Sequence, residues 1–364
     1  MDTQVELREL RERVVAADQQ RQPLRLRGAG TKDFYGEQTD AAVLLDLRPH
    51  RGIVDYEPSE LVITARCGTP LSEIESALAD HGQFLAFEPP AFGGDPTIGG
   101  VVATGLSGPR RMYAGAARDF VLGTTLLDAR GDILRFGGQV MKNVAGFDVS
   151  RLLCGSLGIL GVITEVSLKV LPRPRAEETL RFEMPAQQAL AAFNRWSGQP
   201  LPLSGAAWWD GVAWVRLSGA SSAVRAAHER LGGERVDPTE ATQWWNALRH
   251  CQHPIFQHTV CQGESPALWR LSLPDTTPPL ALPGAHLIDW GGALRWYTCG
   301  PQNGDEPRKA ASAAGGTAMC WQGAAPTAGR FHPLQPTVAT LTRRLKDRFD
   351  PHGIFNPGRM IRGL

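Results

Sequence analysis

The hydrophobic positions of this chain change period often, and each change marks a short element. The opening segment, MDTQVELRELRERVVAADQQ, reads as a charged helix. In PLRLRGAGTKDF, Leu24 and Leu26 alternate with polar residues, which predicts a short strand ended by the loop Gly28-Ala29-Gly30. AAVLLDL is a second strand and LVITARCG a third. The third runs into a helix with Thr69 as N-cap and Pro70 at the first helical position, where a missing N–H costs nothing. Leu71, Ile74 and Leu78 then recur at helical spacing, and GQFLAFEPP returns extended. Thr97 is placed to cap a helix carrying Ile98, Val101 and Val102. FVLGTTLLDARGDILRFGG reads as a hairpin turning at Asp128 to Gly131. MKNVAGFDVSRLLCGSLGILGVIT predicts a helix over 147–155 and then the strand GVITEVSLKVLP.

This α+β, glycine-punctuated half runs to about Pro174. PRPRAEE follows as a proline-stiffened, charged linker with no apolar period. Beyond it the composition shifts, for nine of the ten tryptophans lie between 208 and 321. Strands such as AAWWDGVAWVRLSG and ALWRLSLP alternate there with helices such as SAVRAAHERLGG and ATQWWNALRHC, a second α+β unit. The tail, PTVATLTRRLKDRFDPHGIFNPGRM, is an amphipathic helix with a turn-rich stop.

The 364 residues exceed what one compact core usually holds, so two domains are expected. A composition 42% apolar and 21% charged places the chain among soluble globular proteins. A net charge of +1 argues against nucleic acid as a partner. The six cysteines are scattered without metal-site spacing, which suits reduced cytosolic thiols and disfavours an iron–sulfur cluster on this chain. The N-terminus lacks an apolar signal region, and no window approaches a membrane span.

Three glycine loops carry the candidate chemistry. RLRGAGTKDF has G-x-G after a strand, but Asp33 stands where a dinucleotide fingerprint needs its third glycine, and FYGEQTD does not continue as a helix. A Rossmann site is therefore rejected, and taken alone this loop reads as a strand-to-strand turn. In DPTIGGVVATG, a helix start followed at once by Gly99-Gly100 would let a phosphate meet the backbone; tight helix packing explains it equally well. The third loop holds Gly155, Gly158 and Gly161. Together the three suit one long, flat ligand with a pyrophosphate lying across several turns.

The order R-G-x-G-T, P-T-I-G-G, K-N-V-A-G-F-D, G-S-x-G-x-L-G-V-I-T and D-P-x-G-I-F-N-P-G-R resembles the FAD-binding domain of the vanillyl-alcohol oxidase/PCMH family. The stretches HRGIVDYEPSELVITARCGTPL, GLSGPRR, RFGGQVMKNVAGFD and LIDWGGALRW further resemble the FAD-binding E subunits of bacterial glycolate oxidase, a glycolate dehydrogenase, through both domains. The resemblance implies an α+β fold: a PCMH-type FAD-binding domain of two subdomains at 1–175, an α+β cap at 176–335, and a C-terminal segment, 336–364, returning to the first domain. The pyrophosphate would lie on Arg27, Gly28, Ala29, Gly30, Thr31, Lys32 and Asp33 and on Pro96, Thr97, Ile98, Gly99 and Gly100. Lys142, Asn143, Gly146, Asp148, Gly155, Ser156, Gly158, Gly161, Val162 and Ile163 would line the rest, with Asn356 from the tail.

By the same resemblance, the chain would be the FAD subunit of a complex oxidising glycolate, a 2-hydroxy acid, to glyoxylate. Electrons would pass to an iron–sulfur subunit beside a companion FAD-binding subunit. A stand-alone dehydrogenase and a non-catalytic flavin-carrying relay stay open. The first loop has no His or Cys, so FAD is expected to be non-covalent. Related dehydrogenases carry a His-rich metal motif late in the cap, whereas QGAAPTAGRFHPLQP has one His and no acid, so no metal is assigned. No catalytic residue is assigned. Lys142 suits a charge near the flavin or a solvated strand edge. Asp148 suits a helix cap better than a flavin contact. Arg110 and Arg111 suit an anion or solvent equally, and Arg295 and His332 suit the surface better than catalysis. The tryptophan-rich half is a candidate docking surface, with core packing as the alternative. The expected location is the cytoplasm, or the cytoplasmic face of the inner membrane through partners.

Overall fold

The computed structural model describes residues 3–39, 41, 43–138, 148–257, 267–300, 304–323 and 326–363. Two compact units emerge. One comprises Met1–Leu106, Ala116–Pro172 and Pro333–Leu364; the other comprises Ser107–Gly115 and Arg173–His332.

In the first unit, Leu10, Val14 and Ala17 form the apolar stripe of the helix Thr3–Gln19. That stripe packs on Leu24, Leu45, Leu127, Val162, Ile354 and Phe355, all buried. Leu24–Arg27 pairs in parallel with Val43–Asp46. An antiparallel sheet runs in the order Ile53–Glu57, Val62–Arg66, Val162–Lys169, Val121–Leu127, Ile133–Gly137. The expected hairpin thus supplies its last two strands. The helix expected from Thr69 starts one residue later, at Leu71, with Pro70 as its N-cap. Thr69 is fully buried and its hydroxyl bridges Gly52 and Arg66 instead, accepting from the Gly52 amide at 2.9 Å and donating to the Arg66 carbonyl at 2.7 Å. The helix expected over 147–155 is only Val149–Leu153, capped by Asp148, whose Oδ1 accepts from the Arg151 amide at 3.1 Å.

The second unit is built on an eight-stranded antiparallel sheet. Its order is Glu234–Arg235, Ala176–Glu183, Val212–Gly219, Leu203–Trp209, His286–Asp289, Leu294–Cys299, Ala267–Ser272, Thr317–Gln322. The expected linker ends early, because Ala176, Glu177 and Glu178 already belong to a strand. Eight of the ten tryptophans are buried and the other two, Trp209 and Trp244, are half-buried, so they form core and not an open docking face. Arg295 is wholly buried, not at the surface, and its guanidinium donates to the carbonyls of Gly292, Pro278 and Thr277. Arg110 is buried on Glu177 and Ser218, and Arg111 lies 4.3 Å from the Trp290 ring centre. His332 Nδ1 accepts from the Ala318 amide at 3.3 Å, a structural bond.

The C-terminal return of the first unit is fixed by a buried ion pair. The helix Pro336–Phe349 delivers Lys346, whose Nζ donates to Asp350 Oδ2 at 2.5 Å and to the carbonyls of Ile159 and Phe355 at 2.7 and 2.8 Å. Asp350 also accepts from the amides of Ile354 and Phe355. Both charges are therefore fully hydrogen-bonded, the condition under which a buried pair is tolerated. Burial lowers the Lys346 pKa, and the Asp350 charge acts against that fall. Removing the acid leaves an uncompensated buried ammonium. Asp350→Ala is expected to cost about 3–5 kcal/mol in urea unfolding. A change below about 1 kcal/mol would show that the pair does not hold the tail.

Candidate cofactor site

Four segments, distant in sequence, enclose a cleft of about 780 Å³ within the first unit. They are the loop after the strand Leu24–Arg27, the helix Ile98–Thr104 with its approach, the loop 157–163, and the C-terminal Asn356 to Arg359.

The first loop is held from beneath. Asp33 Oδ2 pairs with Arg25 at 2.9 Å and with Arg27 at 3.0 Å. Arg359 donates to the carbonyls of Lys32 and Asp33 at 3.1 and 2.9 Å, and to that of Glu37 at 2.9 Å. With those carbonyls engaged, the amides of Ala29, Gly30, Thr31 and Lys32 have no acceptor among the described residues. A run of unpaired backbone donors is a ready anion site.

The Gly99-Gly100 pair divides its work. A Cβ at Gly99 would stand 2.6 Å from Cys67 Cβ, so this glycine permits close packing against the neighbouring strand end. A Cβ at Gly100 would meet only Thr97 Oγ1, at 3.3 Å, and otherwise open space on the cleft. The expected helix-start anion hole is corrected in part. The amides of Ile98 and Gly99 donate to the carbonyls of Thr69 and Cys67, both at 2.9 Å, so they are already used. Gly100 makes a 3.4 Å bond to its cap, Thr97.

Asn356 ties three walls together. Its Oδ1 accepts from the Leu26 amide at 2.8 Å, and its Nδ2 donates to the Leu157 carbonyl at 2.7 Å. Leu26, Leu47, Ala103, Leu157 and Ile163 give the cleft apolar flanks. Among the described residues its charged lining is Arg27, Lys32 and Arg359 against Asp33 alone, an excess of two positive charges. Burial pushes the Lys32 ammonium down to about 8 and the Cys67 thiol up to about 12. A flat, partly apolar ligand with a doubly charged anionic centre, such as FAD, fits these walls.

Of the residues expected from sequence, the cleft gathers Arg27 through Asp33, Pro96, Thr97, Gly99, Gly100, Gly158, Gly161, Ile163 and Asn356. Ile98 and Val162 are fully buried in the core and do not line it. Asp148, Gly155 and Ser156 do not line it either; Asp148 is the helix cap described above. Lys142, Asn143 and Gly146 lie outside the described residues. Sequence reading missed Leu26, Leu47, Cys67, Ala103, Thr104 and Arg359, while Leu157 lies inside the third glycine loop. Only Arg359 had a signal, in the tail motif NPGR.

The family described as "FAD binding domain" matches residues 6–137. Glycolate oxidase subunit GlcE of Escherichia coli (strain K12) is 48% identical over 98% of this chain and 97% of its own length. Glycolate oxidase subunit GlcD of Bacillus subtilis (strain 168) is 34% identical over 44% of this chain and 34% of its own length. Among solved structures, an alkyldihydroxyacetonephosphate synthase superposes with a TM-score of 0.65 at 16% identity, over 96% of this chain and 74% of that one, a likeness of fold alone. The protein is thus an FAD-dependent oxidoreductase of the PCMH-type fold, and FAD is its cofactor. Within that class, the chain belongs to the glycolate oxidase subunit GlcE family.

The two glycines separate fold from cofactor. Gly99→Ala is expected to lower the unfolding midpoint, at a cost of about 1–3 kcal/mol from overpacking. Gly100→Val is expected to keep most of the stability and lose most of the flavin, read as the visible absorbance retained through gel filtration. Full flavin in Gly100→Val would assign that glycine to packing.

Proposed function

We propose that this chain is the FAD-carrying subunit of a multisubunit complex that oxidises glycolate to glyoxylate and passes the electrons to an iron–sulfur subunit. The observation that carries this reading is the likeness to GlcE, which runs the full length of both chains and through both units. In this reading the FAD lies non-covalently in the first-unit cleft. Arg27 to Asp33, Gly100, Gly158, Asn356 and Arg359 would hold it there, and residues 176–335 form the cap. Bound FAD supplies a two-electron acceptor that can release electrons singly. Glycolate would lose two electrons and two protons. Cys67, the one cysteine on the cleft, keeps its proton at neutral pH because burial raises its pKa to about 12, which favours a non-covalent flavin.

Among the described residues, the cleft has no group fitted to take the substrate proton. The only carboxylate among them, Asp33, is held by two arginines, and none of them is a histidine. In the second unit, Arg110, Arg295 and His332 are spent on protein partners. These observations favour a companion flavoprotein subunit as the main substrate site, with this subunit's flavin as relay. Among the described residues no helix is long and apolar enough to cross a membrane, so any membrane attachment by helix insertion would come through partners.

Acid precipitation of the purified chain is expected to release FAD into the supernatant. Anaerobic glycolate is expected to leave the flavin of the isolated chain oxidised and to bleach it once the companion subunits are added. Rapid, stoichiometric bleaching of the isolated chain would make this subunit the dehydrogenase.

A further inference from the structure

Lys32 is the least expected side chain of the cleft. It is 7% exposed, yet among the described residues it has no ion-pair partner. Its only hydrogen bond there is a long one, 3.4 Å, to the hydroxyl of Thr31. Its Nζ lies 5.6 Å from the centre of the Phe92 ring, an attraction too weak to replace the hydration of a buried ammonium. The other two cations of the wall are differently placed: Arg27 is paired with Asp33, and Arg359 is bound to three carbonyls. Among the described residues the charged and titratable groups around Lys32 are few. From its own loop come Arg27 and Asp33, from the strand end Cys67, and from the tail Arg359. On the segment that brings Phe92 the acids are Glu88 and Asp95, and Asp95 is bonded to Ser72. A buried, unpaired ammonium on the wall of a ligand cleft is a site prepared for an anion.

We propose that Lys32 is the charge partner of the FAD diphosphate, and that above neutral pH the chain takes up one proton on Lys32 when it binds the cofactor. The proposal rests on FAD occupying the first-unit cleft. The diphosphate is the only anionic part of oxidised FAD, and Lys32 belongs to the same loop whose four amides lack acceptors among the described residues. The proton comes from solvent and forms an N–H bond on the lysine nitrogen; no bond of the flavin is made or broken.

The pH dependence follows from the two states of the lysine. In the flavin-free chain burial holds Lys32 at about 8, below the ordinary 10.5, and a neighbouring dianion raises it again. Below about pH 8 the lysine is protonated in both states, and binding is independent of pH. Above it, the free chain has shed the proton that the complex needs, and affinity falls about tenfold per pH unit. In the flavin-free chain the unfolded state binds more protons between about 8 and 10.5, so this residue's penalty to folding is full below 8 and fades as pH rises.

The test is titration of the full-length chain, stripped of flavin, with FAD and with riboflavin, which has no phosphate. Both the natural chain and Lys32→Met are titrated from about pH 6 to 9.5. FAD affinity of the natural chain is expected to be flat and then to fall about tenfold per unit above 8. Lys32→Met is expected to bind FAD about ten- to a hundredfold more weakly near pH 7, with no such fall, and to bind riboflavin unchanged. Flavin-free Lys32→Met is also expected to unfold at a higher temperature than the natural chain at pH 7, a gain that a merely structural lysine would not give. An FAD profile in the natural chain that stays flat to pH 9.5, or an equal loss of riboflavin in Lys32→Met, would overturn the role of Lys32 alone. A natural chain that binds neither flavin at any pH would overturn the cleft assignment and the proposal with it.

Discussion

A short stretch of backbone that must stay unpaired governs this molecule. Backbone amides of folded chains are almost always matched to a protein acceptor or to water. Here four consecutive ones on the cleft, Ala29 to Lys32, lack a protein acceptor among the described residues. Such a loop does not hold its shape by itself, so the fold supplies rigidity from outside. Asp33 clamps the two arginines of the preceding strand, and Arg359 takes the carbonyls on the loop's far side. Arg359 in turn depends on a tail that runs beside Leu24 and is locked by the buried Lys346–Asp350 pair. Much of the polar chemistry of the first unit therefore serves to present these donors and one unpaired cation to an anion.

The two units use buried charge in opposite ways. In the second unit, Arg295 and Arg110 are sunk in the protein with their donors matched to carbonyls, a carboxylate and a hydroxyl, and they stiffen loops. In the first, Lys32 is also buried, and among the described residues it has only one long hydrogen bond. A matched buried charge specifies structure, whereas an unmatched one costs stability and is retained where a ligand completes it. That contrast separates scaffold from binding site more sharply than burial or charge alone.

Local signals in the sequence carried much of this architecture. The Thr97 cap, the hairpin 121–137 and the alternating strands of the second half follow from spacing of two or 3.6 residues and from turn chemistry. What stayed hidden depends on distant partners. Thr69 carries the chemistry of an N-cap, but its hydroxyl is drawn to Gly52, seventeen residues back, and the helix begins after Pro70. Gly99 and Gly100 read as one motif; only the approach of Cys67 shows that one permits packing and the other faces the cleft. Ala176 to Glu178 read as linker because their partners, Leu217 to Gly219, lie forty residues away. Leu47 and Cys67 reach the cleft through contacts that no local pattern encodes.

The central claim is that the unpaired amides of the first loop receive the cofactor's diphosphate, and a crystal structure of the full-length chain with FAD tests it most directly. Diphosphate oxygens are expected within hydrogen-bond distance of the amides of Ala29 to Lys32, with the Lys32 ammonium beside them. A diphosphate seated away from this loop, with those amides bonded to protein or water, would contradict it.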